Sequence, residues 1–195
     1  MQVAAEFSDA TSAYAGLRDE TLDVVVMDIN MPGGGAFETL VKLHRRHPAL
    51  ASLVFTMYAK ASFARQAFAA GARGYVTKSS EPDTLLRALR EVGRGQRYLS
   101  ADVAQLLAWE RFGDERGALD SLSVREFEVL RLLLDGRDVF MIAEALSLSP
   151  KTVRNLHYGI KRKLGVRDDI ELVRLAARLD VVDLLELAPE TRSEI

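Results

Sequence analysis

Two stretches of the chain combine residue types and spacing that could do chemistry. In the first, Val24-Val25-Val26-Met27 runs into a lone acid, Asp28, followed by Ile29-Asn30-Met31-Pro32 and three glycines at 33 to 35. Taking a carboxylate out of water is costly, so an acid at the end of an apolar strand, facing a glycine-rich loop, asks for a use. Taken singly, such an aspartate is more often a helix cap or a solvated turn. In the second, SPKTVRNLHYGIKRKLGVR (149 to 167), Lys151, Arg154, Lys161, Arg162, Lys163 and Arg167 occur with no acidic residue. Arginine and asparagine pair with base edges and lysine neutralises phosphates, so the chemistry here would be nucleic-acid recognition. A solvated basic helix is the competing reading on charge alone.

The elements that must position these residues fall into two groups. In the first half, short apolar runs at 3–7 (VAAEF), 22–28, 52–57 and 74–78 read as strands, and 22–28 reads as one buried on both faces. Helical stretches at 9–18, 36–46, 62–70 and 82–92 alternate with them. Pro48 stops one, Gly71 caps another and Pro82 opens a third. That alternation predicts an α/β fold, a parallel, doubly wound sheet with ligands at the carboxyl ends of its strands. A connecting helix over 101–112 and an exposed linker over 113–121 follow. Every later element is helical. Ser123 and Glu126 form a capping box, a second short helix covers 139–146, and Ser149-Pro150 opens a third that runs to Leu164-Gly165. A fourth spans about 168–179. Short helices with a tight joint between the second and third are a helix-turn-helix signature. The expected division is an α/β unit over 1–95, a linker over 96–119, an all-α four-helix unit over 120–180 and a tail over 181–195, helical to about Leu187.

Composition narrows the classes. A net charge of −2 gives no global pull toward nucleic acid or membrane, so any such pull is local. The absence of cysteine excludes disulfides and thiolate chemistry, and suits a cytoplasmic location. No apolar run reaches the roughly 20 residues that span a bilayer. His44, His47 and His157 lack metal-ligand spacing on one helix face. A hydrolase of the α/β kind would need a G-x-S-x-G elbow, which is missing, so no enzyme is expected.

The motifs LSVREFEVLRLLLDG, IAEALSLSPKTVRN and IKRKLGV, over about 120–180, resemble the LuxR-type DNA-binding domain of NarL/FixJ-type two-component response regulators. The resemblance implies a homodimer on double-stranded DNA, with the third helix of this unit in the major groove. Arg154, Asn155 and Tyr158 are then the expected base readers, and Lys151, Thr152, Lys161 and Lys163 the expected backbone contacts. The order Leu156-His157 reverses the family's usual pair. Helical spacing turns His157 inward and Leu156 toward the groove.

The first half, with DVVVMDINMPGG, VFTMY and GYVTK, is similar to the receiver domain of the same regulators. The resemblance implies that Asp28 accepts a phosphoryl group from a sensor histidine kinase, with Lys78 pairing to it, Thr56 moving to bond it and Tyr75 turned inward behind it. It also implies magnesium at Asp28 and the Asn30 carbonyl. The acidic pair that chiefly holds the metal in the family lies on a strand absent here, so poor metal affinity is expected. A chain start at an internal methionine, trimming, and a shortened receiver used for dimerisation or docking all remain open. Two regulatory readings follow. In one, phosphorylation releases a closed form whose recognition helix is covered. In the other, DNA binding is independent of phosphorylation and the receiver only assembles or docks.

Overall fold

The computed structural model describes residues 1–17, 22–31, 35–110, 119–179 and 181. Four parallel strands, β1 (Val24–Met27), β2 (Ala51–Thr56), β3 (Gly74–Thr77) and β4 (Tyr98–Leu99), lie side by side in chain order. Val26 stands opposite Leu53, and Val54 opposite Tyr75. Helix α1 (Ala10–Gly16) precedes β1, α2 (Ala36–Arg46), α3 (Ala61–Ala69) and α4 (Pro82–Gly93) run between successive strands, and α5 (Ala101–Glu110) follows the sheet.

Strand alternation explains how both faces are filled. Leu53 and Val76 pack with Ala88 and Val92 of α4, while Val54 and Tyr75 pack with the α2 and α3 side chains. The central strands β2 and β3 are therefore buried along almost their whole length, as in a sheet covered on both faces.

Three expectations for this half need correction. Residues 3–7 form no strand: residues 1–7 have no regular structure and are largely exposed, apart from Phe7, whose ring lies against Gly16. A strand exists only by pairing, and nothing among the described residues pairs with the outer edge of β1. For the same reason β1 is not buried on both faces. It is an edge strand, and its Val26 is 45% exposed. The two-residue strand β4 is absent from the sequence reading because so short a segment has no period to read.

The helical half contains a 3-10 turn (Leu119–Ser121), α6 (Val124–Leu134), α7 (Val139–Ala145), α8 (Pro150–Leu164) and α9 (Asp169–Arg178). Leu119 is buried, so the end of the expected exposed linker is anchored, and 113–118 lies outside the described residues. The end of the connecting helix beyond 110 and the expected extension of the last helix to Leu187 also lie outside them. The capping box forms: Ser123 Oγ accepts from the Glu126 amide, and the Ser123 amide donates to Glu126 Oε2 at 2.8 Å. Ser149 caps α8, Pro150 opens it, and Gly165 closes it in the left-handed region at φ 68°, where glycine carries no Cβ penalty.

The two halves pack through α6. Phe127 inserts edge-on between Phe37 of α2 (5.8 Å between centroids) and Phe63 of α3 (5.3 Å), and all three rings are buried. Burying one such side chain contributes about 1.5–3 kcal/mol, and each well-set ring pair about 0.5–1.5 more.

Candidate functional site

Asp28 follows β1, Thr56 ends β2 and Lys78 follows β3, so parallel pairing gathers all three at one end of the sheet. Lys78 Nζ donates to Asp28 Oδ2 at 2.7 Å, and the Asn30 amide donates to Asp28 Oδ1 at 3.1 Å. Burial pushes the Asp28 carboxyl up. The Lys78 hydrogen bond, the Asn30 amide, the Lys78 charge and a bond from Thr56 together outweigh it, and the carboxyl titrates below the ordinary aspartate range. Thr56 is fully buried, with the Tyr58 amide 3.5 Å from its Oγ1.

Tyr75 already lies inward. Its ring is buried, its hydroxyl donates to the Tyr58 carbonyl at 2.7 Å, and desolvation drives its phenol far up. The end of β3 is held by Thr77, which donates to Asp102 Oδ2 at 2.6 Å. Asp102 was not singled out from sequence because an acid in a helix first turn reads as ordinary capping.

The donor set around Asp28 does not fit magnesium. Magnesium prefers near-octahedral oxygen ligation, but no cluster of three metal-ligating side chains exists among the described residues, and Asp28 is already paired with an ammonium group.

The second site is the outer face of α8. Val153 and Ile160 are fully buried and seat the helix on α6 and α7. Lys151, Arg154, Asn155, Tyr158 and Arg162 are exposed, and their positions at a helical repeat form one continuous stripe. Tyr158 is 69% exposed. The stripe faces solvent while α6 is docked on the receiver half, so the expectation of a covered recognition helix is corrected: the docking surface is α6, not α8.

The other sequence-named positions of α8 have partners inside the domain. Thr152 is half-buried, with its hydroxyl 2.8 Å from Ser149 Oγ. Lys161 donates to Asp169 at 2.9 Å, and Lys163 to Glu126 at 2.6 Å and to the Ser121 carbonyl at 3.2 Å. His157 points inward as read, with Nε2 2.8 Å from Asp169 Oδ1. Leu156 does not project freely into the groove: it is half-buried against the apolar core.

The sequence reading missed Glu128 and Arg131, both charged and both buried. Glu128 Oε1 accepts from the Phe37 amide at 2.9 Å, and Arg131 Nη1 lies 3.5 Å from Asn30 Oδ1. Burial pushes the Glu128 carboxyl up to about 7, with the Phe37 amide, Arg131, Arg125 and Lys42 partly opposing it.

A receiver-type sheet with an acid–lysine pair at its carboxyl end, joined to a helix-turn-helix with an exposed polar stripe, defines a DNA-binding response regulator. The response-regulator receiver domain family matches residues 1–90, and the luxR family of bacterial regulatory proteins matches 120–176. The chain is 39% identical to response regulator GacA of Pseudomonas aeruginosa, over 83% of this chain and 76% of that one. It resembles the structure of RcsB from Salmonella enterica serovar Typhimurium bound to the promoter P1flhDC with phosphomimetic BeF3− (TM-score 0.68, 30% identity, 92% of this chain and 86% of that one). A structure of two RcsB dimers on two parallel DNAs is similar too (TM-score 0.53, 29% identity, 90% and 84%). The chain belongs to the LuxR family of two-component response regulators. No helix among its described residues is long and apolar enough to cross a membrane.

Proposed function

We propose that the protein is a transcription regulator controlled by phosphoryl transfer from a sensor histidine kinase to Asp28, and that it binds double-stranded DNA as a homodimer through α8. The observation that carries this reading is the 2.7 Å contact between Lys78 Nζ and Asp28 Oδ2 at the carboxyl end of the sheet. In-line transfer needs a placed carboxylate and positive charge on the phosphoryl oxygens. An Asp28 oxygen forms the bond to phosphorus as the bond from phosphorus to the donor's imidazole nitrogen breaks. Lys78 is within reach of the transferred oxygens, and the buried Thr56 hydroxyl supplies a donor beside them. On DNA, Arg154, Asn155 and Tyr158 read base edges, Lys151 meets phosphate, and Thr152, Lys161 and Lys163 support the helix from its flanks. The RcsB dimers on DNA support the dimeric reading.

The experiment is incubation of the chain with a small phosphodonor in magnesium buffer, read by intact mass beside Asp28→Asn. The expected result is a gain of one phosphoryl group that the variant lacks. No gain, in protein that still binds DNA, overturns the reading. It would favour a regulator independent of phosphorylation whose receiver serves assembly. That no group of three acidic or histidine side chains able to hold a metal exists among the described residues is the observation that favours this second reading.

A further inference from the structure

The carboxyl end of the sheet carries the Asp28 site, and the opposite, amino end is a basic surface. Arg73 and Arg97 stand one residue ahead of β3 and β4, neighbouring strands about 4.8 Å apart. Arg45 and Arg46 close the last turn of α2, Arg90 lies in the last turn of α4, and Arg94 is the C-cap of α4. All but the half-buried Arg73 are exposed. Cations collect at the carboxyl ends of helices because they balance the dipole, which accounts for Arg45, Arg46 and Arg90. It does not account for Arg73 and Arg97, which precede strands. Lysine is absent from 43–50, 70–74 and 90–98, the stretches that form this end.

Three of these guanidinium groups are held in place. Arg46 lies over the Tyr14 ring at 5.4 Å and Arg97 over the Phe68 ring at 6.0 Å. Arg73 Nη1 donates to the Gly95 carbonyl at 3.4 Å. A ring grips a guanidinium by its flat face and leaves the N–H edge free, so an anchored group still offers paired donors to a phosphate. The surface is continuous between α2 and β3: a Cβ on Gly71 would fall 2.9 Å from the His44 ring, so the end of α2 touches the turn ahead of Arg73. Among the described residues of this end the acids are Glu91, paired with Arg94 at 3.3 Å, and Asp23 ahead of β1. None of the large exposed apolar side chains falls in these stretches. A protein interface needs an apolar centre, whereas a DNA interface is polar, wet and strongly cationic. The composition of this end therefore fits a nucleic-acid backbone better than an acidic protein.

We propose that the amino end of the receiver sheet is a second DNA site, one that takes the phosphates of duplex DNA without reading sequence. In a chain of net charge −2 the attraction is confined to this end and to the α8 stripe. The DNA-binding domain meets the receiver at Phe37 and Phe63, in the first turns of α2 and α3, which is the other end of the sheet. The basic end thus faces away from that contact and fits a second stretch of duplex, so that one chain bridges two. The bridging rests on α8 holding the first duplex; the second site does not.

The test uses the full chain and a short random-sequence duplex. Binding is read by fluorescence anisotropy at several salt concentrations, and circular dichroism checks the fold. The receiver variant is Arg45→Gln/Arg90→Gln/Arg97→Gln, and Arg45→Lys/Arg90→Lys/Arg97→Lys keeps its charge. The α8 variant is Lys151→Ala/Arg154→Ala. In the α8 variant the duplex should still bind at low salt. Adding the three glutamines should then lower the salt slope by about three, one for each phosphate contact removed, and the three lysines should leave it in place. Wild-type protein on a biotin-tagged duplex should also capture a second, fluorescent duplex, and either the receiver or the α8 variant should lose that capture. A slope unchanged by the glutamines in folded protein overturns the second site. So does a polyglutamate chain that binds this end and resists displacement by duplex, which would mark an acidic protein as the partner. Capture that survives in the receiver variant overturns the bridging. Undiminished binding in the α8 variant overturns the α8 reading and the bridging, while the slope still decides the second site.

Discussion

Lys78 Nζ and Asp28 Oδ2 meet at 2.7 Å although fifty residues of chain separate them. Removing the ammonium group takes away both its hydrogen bond and its charge, and leaves burial less opposed. In Lys78→Met the Asp28 carboxyl should therefore titrate higher than in the wild type, followed by carboxyl carbon NMR. Labelling by a small phosphodonor should slow at least about tenfold, as expected for loss of a placed charge at a phosphoryl site. An unmoved titration curve would mean that the pair is open to solvent and idle.

On α8 the exposed stripe and its paired flanks should behave differently. Arg154→Ala and Asn155→Ala should each cost about 1–3 kcal/mol of DNA affinity and relax base preference at particular positions of selected sites. Lys151→Ala should weaken all sequences alike and lower the salt slope by about one. Lys161→Ala should do less, because Asp169 already neutralises that ammonium group. Site selection from random duplexes, followed by binding at several salt concentrations, separates these outcomes. Equal losses at Lys151 and Lys161 would count against the stripe.

Phe140, 65% exposed on α7, lies under the Arg154 guanidinium at 5.9 Å. An exposed cation–π contact is worth about 0.5–1 kcal/mol. Phe140→Ala should therefore lose affinity a few-fold and blur the base position lost in Arg154→Ala, with thermal stability unchanged. Phe140→Tyr should restore both. An effect of equal size in the Arg154→Ala background would show that the ring acts on its own.

Gly35→Ala should separate backbone strain from crowding. Gly35 has φ −67° and ψ 115°, which alanine adopts freely, so any cost comes from the Glu128 carboxylate. The substitution should destabilise by about 1–3 kcal/mol in the wild type and by little in Glu128→Ala, measured as a double-mutant cycle in urea. Additive losses would disprove the contact.

Docking should respond to pH through Glu128. Its carboxyl is raised to about 7 in the docked form from 4.5, so the docked state holds its proton more tightly. The docked form is thus favoured fully below about 4.5 and loses ground as pH rises through 7. The groups facing it are Arg131, Arg125 and Lys42, and Glu38 is paired with Arg125 and Lys42. The undocked fraction, read as the distance between spin labels on cysteines placed at exposed Arg87 (α4) and Glu144 (α7), should grow by up to about tenfold per pH unit there and should be flat in Glu128→Gln. A wild-type distance insensitive to pH would remove Glu128 as the titrating group.

Much of this was readable from sequence where one physical rule dominated. The apolar runs at 52–57 and 74–78 became strands because both faces are covered, and Ser123, Ser149 and Pro150 marked helix starts because capping is local. The run at 3–7 has strand composition yet forms no strand, since composition cannot supply a neighbour to pair with. Asp28 stood out in the sequence as an acid closing an apolar strand, Thr56 and Lys78 were named through the resemblance to the receiver domain, and parallel pairing sets all three at one end of the sheet. Glu128 and Arg131 were not, because a charged residue on a helix reads as solvated until the second domain covers it. Lys161 and Lys163 were read as free for phosphate, and only the folded chain brings Asp169 and Glu126 to them.

The solvent-facing stripe of α8 changes what control can mean in this molecule. A receiver that gripped α8 would act as a lid, and regulation would be a matter of concealment. Here the receiver holds α6 and leaves Lys151, Arg154, Asn155 and Tyr158 bare, so it works as a handle on a tool already uncovered. In the proposed homodimer two such handles would be joined, and the stiffness of each grip would fix the separation and tilt of the two reading helices. A stiff pair suits one operator spacing and a loosened pair tolerates several, so the choice among promoters becomes a question of mechanical play.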